Sequence, residues 1–144
     1  MKRLLASLCF TALIAGCAGS STVTVGGRPV SIPTDAAEEH EKLIENIGIY
    51  DDPELQAYID EIGARLVANS SMPNQKFTFT LLDSPDINAF ALPGGLIYIN
   101  RGLLAYLDSE AELAGVIAHE IGHITERHHS RRKTQTITNQ VAAV

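Results

Sequence analysis

Residues 119–123 read His-Glu-Ile-Gly-His, and they constrain the chain more than any other stretch. Two imidazoles four residues apart differ by about 40° around an α-helix axis, so both lean from one face toward one point. That arrangement suits one Zn²⁺ ion, with Glu120 placed between the ligands to take a proton from water at the metal. His119 and His123 are therefore the candidate metal ligands and Glu120 the candidate general base. The alternative is a helix that merely carries two histidines and an acid. The flanking sequence supports a helix. Ser109-Glu110-Ala111-Glu112 is a capping box, with Ser109 at N-cap and Glu112 at N3. Leu113, Val116, Ile117, Ile121 and Ile124 then form an apolar stripe, which predicts that this helix packs centrally.

A catalytic zinc takes three protein ligands and keeps one open position. Cysteine is not a source: Cys9 falls in the N-terminal apolar run and Cys17 at its end, and there is no other. Glu126 shares roughly the face of His119 but lies about 10 Å along the axis from it, which reads as a surface acid or a group behind the ligands. His129 occupies the last position of H-E-x-x-H-x-x-G-x-x-H, yet Glu126 stands where that pattern needs a helix-ending glycine. His128 and His129 then read as helix-surface imidazoles. The sequence holds two ligands and a base but no third ligand, so it is expected to be the N-terminal part of a longer protein or a truncated product.

Met1-Lys2-Arg3 followed by the apolar run Leu4–Ile14 predicts a signal peptide over residues 1–16. The run closes as Leu13-Ile14-Ala15-Gly16-Cys17, which resembles a bacterial lipobox in which Cys17 is diacylated and becomes the new N-terminus. An ordinary secretory signal with an incidental Cys is the alternative. Acyl chains on Cys17 would tether the protein to a membrane without crossing it. By resemblance to bacterial lipoproteins, Ala18 points to the outer membrane. Residues 17–33, rich in Gly, Ser, Thr and Val, read as a flexible tether with an early strand at Thr22–Val25. The formal net charge of −6 gives no bulk attraction to nucleic acid. Arg127, Arg131, Arg132 and Lys133 form a basic cluster that reads as a solvated late-helix face, or as a contact for lipid headgroups or an acidic surface.

The remainder, 34–144, is expected to be one incomplete α+β domain. Thr34 or Asp35 caps a helix to about Ile47, with Leu43, Ile44 and Ile47 as its apolar positions. Asp52-Pro53 starts a second helix to about Ala68, whose buried face is Leu55, Ile59, Ile62 and Leu66. Strands are predicted at 77–82, 88–92 and 96–99, with a tight turn at Pro93-Gly94-Gly95. A brief helix covers 102–107.

Asn88-Ala89-Phe90-Ala91-Leu92-Pro93-Gly94-Gly95-Leu96-Ile97-Tyr98, then Gly102-Leu103-Leu104, then Glu110 to His123 together resemble the gluzincin metallopeptidase family of the CAAX prenyl protease and HtpX. Within it, this sequence and Asp52-Pro53-Glu54-Leu55-Gln56 look like the periplasmic lipoprotein branch of BepA-like and LoiP-like proteases. The resemblance runs from about Glu39 to Arg132. It implies a zincin-like domain, mostly helical, with a small sheet whose edge strand flanks the H-E-x-x-H helix. His119 and His123 match the family's zinc ligands and Glu120 its acid/base. Asn88, Ala89, Phe90 and Ala91 match an edge strand that pairs with extended substrate, although a plain hairpin explains the same residues. The family's third ligand is a downstream Glu with no counterpart here.

The expected function is a zinc-dependent metalloendopeptidase, lipid-anchored and facing the periplasm. Its partners would be unfolded or misassembled envelope proteins, a substrate class implied by the resemblance alone. The competing reading is a catalytically incomplete lipoprotein that holds unfolded clients as a chaperone or adaptor. A structural zinc protein is a third reading, weakened by the lack of cysteine ligands.

Overall fold

The computed structural model describes residues 19–25 and 28–126. The expected signal peptide, Cys17, the basic cluster, His128 and His129 lie outside those residues. The elements run β1 (Ser20–Val25), β2 (Arg28–Pro33), α1 (Thr34–Asn46), α2 (Pro53–Ala68), β3 (Thr78–Leu82), β4 (Ala89–Leu92), β5 (Leu96–Asn100), α3 (Arg101–Leu104) and α4 (Glu110–Thr125).

A three-stranded sheet ordered β3-β5-β4 divides the described residues into two layers. β5 is central, parallel to β3 and antiparallel to β4. Alternation along each strand sends side chains to opposite faces. Phe79, Leu81, Ala91, Ile97 and Ile99 meet α2 and α4 through Ile59, Ile62, Leu113, Ile117 and Ile121. Leu82, Leu92, Leu96 and Tyr98 meet α1 and the β1–β2 hairpin on the other face. Ile59, Ile97, Ile99 and Ile117 are fully buried, each contributing about 1.5–3 kcal/mol over an exposed side chain.

Local chemistry sets the ends of the helices. Pro53 sits at N1 of α2, and the Asp52 carboxylate accepts from the Leu55 N–H at 3.0 Å. Gly63 brings α2 so close to β3 that an added Cβ would lie 2.2 Å from the Phe79 ring. Gly94 and Gly95 have φ of 94° and 92°, so the turn from β4 to β5 is one that side-chain-bearing residues rarely adopt.

Two expectations need correction. Residues 20–25 and 28–33 do not run as a tether. They form an antiparallel hairpin that buries Val23, Val25 and Ile32 in the second core. The Thr-Val alternation of 22–25 is a strand signal extending further than expected, and the valines gain by burial what the glycine- and serine-rich flanks obscured. The apolar positions read for α1 are not its buried ones: the helix ends at Asn46, Ile47 is 36% exposed, and the buried positions are Ala36, Ala37 and His40. Small side chains let α1 lie close to the hairpin, and Leu43 and Ile44 are only partly buried.

Candidate metal centre and active site

Glu110–Thr125 forms the helix that the capping box predicts. The Ser109 hydroxyl accepts from the Glu112 N–H at 3.3 Å. The return bond falls one residue earlier than expected, the Asp108 N–H donating to Glu112 Oε2 at 2.7 Å. Glu110, in the first turn, accepts from the Tyr58 hydroxyl and from Arg65 Nη2, each at 2.7 Å. These contacts tie α4 to α2 and hold the Glu110 carboxyl below its ordinary range, the Tyr58 hydrogen bond contributing most. The apolar stripe of Leu113, Ile117 and Ile121 seats the helix against the sheet, which fixes where the polar face points.

That face presents His119 and His123 as a converging pair. Their Nε2 atoms are 3.0 Å apart, with ring planes at 83° to one another. Tetrahedral zinc with Zn–N bonds near ~2.0–2.1 Å separates two ligand nitrogens by about 3.3 Å, so the pair fits such an ion. One ligand atom from each of His119, Glu120 and His123 lies within 4.8 Å of the other two. His119 is exposed, His123 half-buried and Glu120 buried. Burial pushes the Glu120 carboxyl above its ordinary range, and His119 opposes that shift. A carboxyl so placed makes a better proton acceptor than an exposed one. Glu126 is exposed and outside the cluster, as expected from its distance along the axis. Among the described residues no His, Cys or carboxylate other than Glu120 joins the pair.

β4 packs on α4, and it is an edge strand as expected. The Asn100 N–H donates to the Asn88 carbonyl at 3.0 Å, and Ala89 pairs with Ile99 in register. Antiparallel pairs alternate between bonded and non-bonded, so Phe90 and Leu92 bond to β5 while the N–H and C=O of Ala89 and Ala91 point outward. Among the described residues nothing pairs with that outward side. The four residues of the expected substrate strand therefore separate. Asn88 and Ala89 line one cleft with His119 and Glu120. Ala91 is buried, and Phe90 turns to the opposite face, its ring stacked on Tyr98 at 5.1 Å.

Two polar residues with structural roles escaped the sequence reading. Gln56 caps the other edge of the sheet: its Nε2 donates to the Phe79 carbonyl and its Oε1 accepts from the Leu81 N–H, both at 3.1 Å. His40 is buried and shares a 2.7 Å hydrogen bond with Tyr98. Burial lowers the His40 pKa and pushes the Tyr98 phenol up, so both groups sit neutral. A polar residue on an otherwise apolar helical face is the signal that would have marked each.

The model for peptidase family M48 matches residues 53–144, which include the whole of this site. The chain belongs to peptidase family M48. Among the M48 relatives, it is 48% identical over 80 residues to the beta-barrel assembly-enhancing protease of Yersinia pestis, covering 56% of this chain and 16% of that one. Against the Escherichia coli protease of the same name, identity is 42% over 83 residues, covering 58% and 17%. The mitochondrial metalloendopeptidase OMA1 of Schizosaccharomyces pombe is 35% identical over 75 residues, covering 52% and 22%. The chain thus spans about a fifth of the length of the curated relatives it matches. Membership of M48 and the zincin-like arrangement of helix and sheet agree with the gluzincin resemblance. No helix among the described residues is long and apolar enough to cross a membrane.

Proposed function

We propose that this chain carries the catalytic helix of a zinc-dependent metalloendopeptidase that cleaves extended segments of misfolded or misassembled envelope proteins. One observation carries the reading: two imidazole nitrogens converge beside a buried carboxyl, at a cleft that runs along an unpaired strand edge. His119 and His123 hold the ion, and Glu120 is the proton acceptor. Bound zinc would supply polarisation of the peptide carbonyl and of water. The Glu120 carboxylate takes the proton from the attacking water and later delivers it to the leaving amine nitrogen. The outward N–H and C=O of Ala89 align the substrate by strand addition, holding its backbone extended while side chains project alternately toward and away from α4. Phe90 contributes by anchoring that strand rather than by touching substrate.

The names of the bacterial relatives favour β-barrel assembly as the setting, and the Leu13–Cys17 lipobox favours a lipid anchor at Cys17 on the periplasmic side of the outer membrane. Cleavage of casein by the full-length protein tests the reading. Glu120→Gln is expected to lower the rate about 10²–10⁴-fold and chelation to abolish it. Equal rates in both proteins, insensitive to chelator, would end the enzyme assignment. Suppression of client aggregation without cleavage would favour the chaperone or adaptor instead. Radiolabelled palmitate incorporated in wild type and lost in Cys17→Ser tests the anchor.

A further inference from the structure

Gly115 lies one turn before His119 on the cleft face of α4, about 6 Å along the axis. Glycine is a poor helix former, and packing does not demand it here. A Cβ added at Gly115 would meet nothing within 4 Å, and the residue is exposed. The space above it belongs to the cleft that reaches His119 and Glu120. The cleft walls are apolar: Ile87, Ala89, Leu103, Tyr106, Leu107 and Val116. Ile87 is 60% exposed and Tyr106 69%, two large apolar side chains held toward solvent beside the proposed catalytic residues. Asp108 and Glu112 also line the cleft, and among the described residues no Lys or Arg does.

We propose that Gly115 is the floor of a side-chain pocket, walled by Ile87 and Tyr106, that selects a large apolar residue near the scissile bond of an extended peptide. The inference rests on the peptidase reading above and names its substrate class. Side chains on one face of a strand recur every ~6–7 Å, which matches the step from His119 to Gly115. A substrate strand added at Ala89 with its cleaved carbonyl near the histidines therefore sends a neighbouring side chain over Gly115. Leucine or phenylalanine fills that space and covers Tyr106 and Ile87. An acidic side chain there meets Asp108 and Glu112 and is rejected.

The test uses the full-length, metal-loaded protein and fluorescein-labelled peptides that differ at one guest position, Ala, Phe or Asp, with the cut bond located by mass spectrometry. Wild type is expected to favour Phe over Ala by at least about tenfold in kcat/KM, with Asp poorest. Gly115→Leu fills the pocket and improves local helix propensity, so the Phe-to-Ala ratio falls toward one while circular dichroism stays native. Tyr106→Ala, which removes a wall, lowers the same ratio. Fluorescence anisotropy of the same peptides on Glu120→Gln protein supplies a readout independent of turnover. Peptides ranked by binding, with the ranking erased by Gly115→Leu but with no cleavage by wild type, would keep the pocket and discard the peptidase reading. Cleavage with the same Phe-to-Ala ratio in wild type and both variants would discard the pocket alone. So would a concentration-dependent dimer that Gly115→Leu breaks while peptide ranking stays unchanged, since a second copy would then be the occupant.

Discussion

The two edges of the central sheet are treated in opposite ways. Along β3, the Tyr50 N–H donates to the Leu81 carbonyl at 3.0 Å and the Asp83 N–H to the Gly48 carbonyl at 3.1 Å. The Gln56 amide extends that cover toward the start of the strand, bonding the Phe79 carbonyl and the Leu81 N–H. Along β4, the outward groups of Ala89 and Ala91 have no such partner among the described residues. An unpaired edge is a liability for association, so the open one is the edge that the proposed strand addition would use. The open edge is also the one beside His119 and Glu120.

Four measurements break or sharpen that contrast. Phe90→Ala removes a ring stacked on Tyr98 and is expected to lower unfolding free energy by roughly 2–3 kcal/mol, below the fully buried range because the ring is half-exposed. Urea titration reads this, and an unchanged KM for a peptide substrate would agree that Phe90 serves the fold. Gln56→Ala uncaps the closed edge, leaving one carbonyl and one N–H without partners, for a loss of about 1–3 kcal/mol by the same titration. A midpoint unchanged from wild type would mean that this edge needs no cover.

Ala89→Pro deletes an outward N–H that the sheet does not use, and proline is tolerated on an edge in that orientation. Thermal unfolding should shift little, while kcat/KM for extended peptides falls roughly tenfold, the worth of about one hydrogen bond. Full activity in that variant would remove strand addition from the mechanism. The smallest effect is a pH dependence. The folded His40 pKa lies below its ordinary 6.5, so the unfolded chain binds the proton more readily. Its contribution is present above about pH 6.5 and is lost as pH falls through the lowered folded pKa. Urea midpoints at pH 5 and pH 7.5 should therefore differ more in wild type than in His40→Gln.

What the sequence made legible was local. Asp52-Pro53 and Ser109 announced two helix starts by hydrogen-bonding residues three positions away. His119 and His123 announced their own meeting because one helical turn brings them together. The 77–82, 88–92 and 96–99 patterns located the strands within a residue or two. The rest depends on residues far apart in the chain. The parallel pairing of β3 with β5 places β4 at the edge, and no periodicity encodes that order. His40 and Tyr98 are separated by 58 positions, and nothing local to either residue points to the other. The hairpin at 20–33 was missed because its flanks carry the composition of a linker, while its valines find their core only in the folded chain.

The near-contact between Gly63 and the Phe79 ring has a consequence for how this protein can change over generations. A methyl group on the helix has nowhere to go unless the aromatic opposite it first becomes smaller. The two positions are therefore free to drift only as a couple, shrinkage on the strand opening the way for growth on the helix. Gly63→Ala should be harmful by itself and relieved by Phe79→Leu, so the order in which the two changes arrive decides whether a lineage survives them.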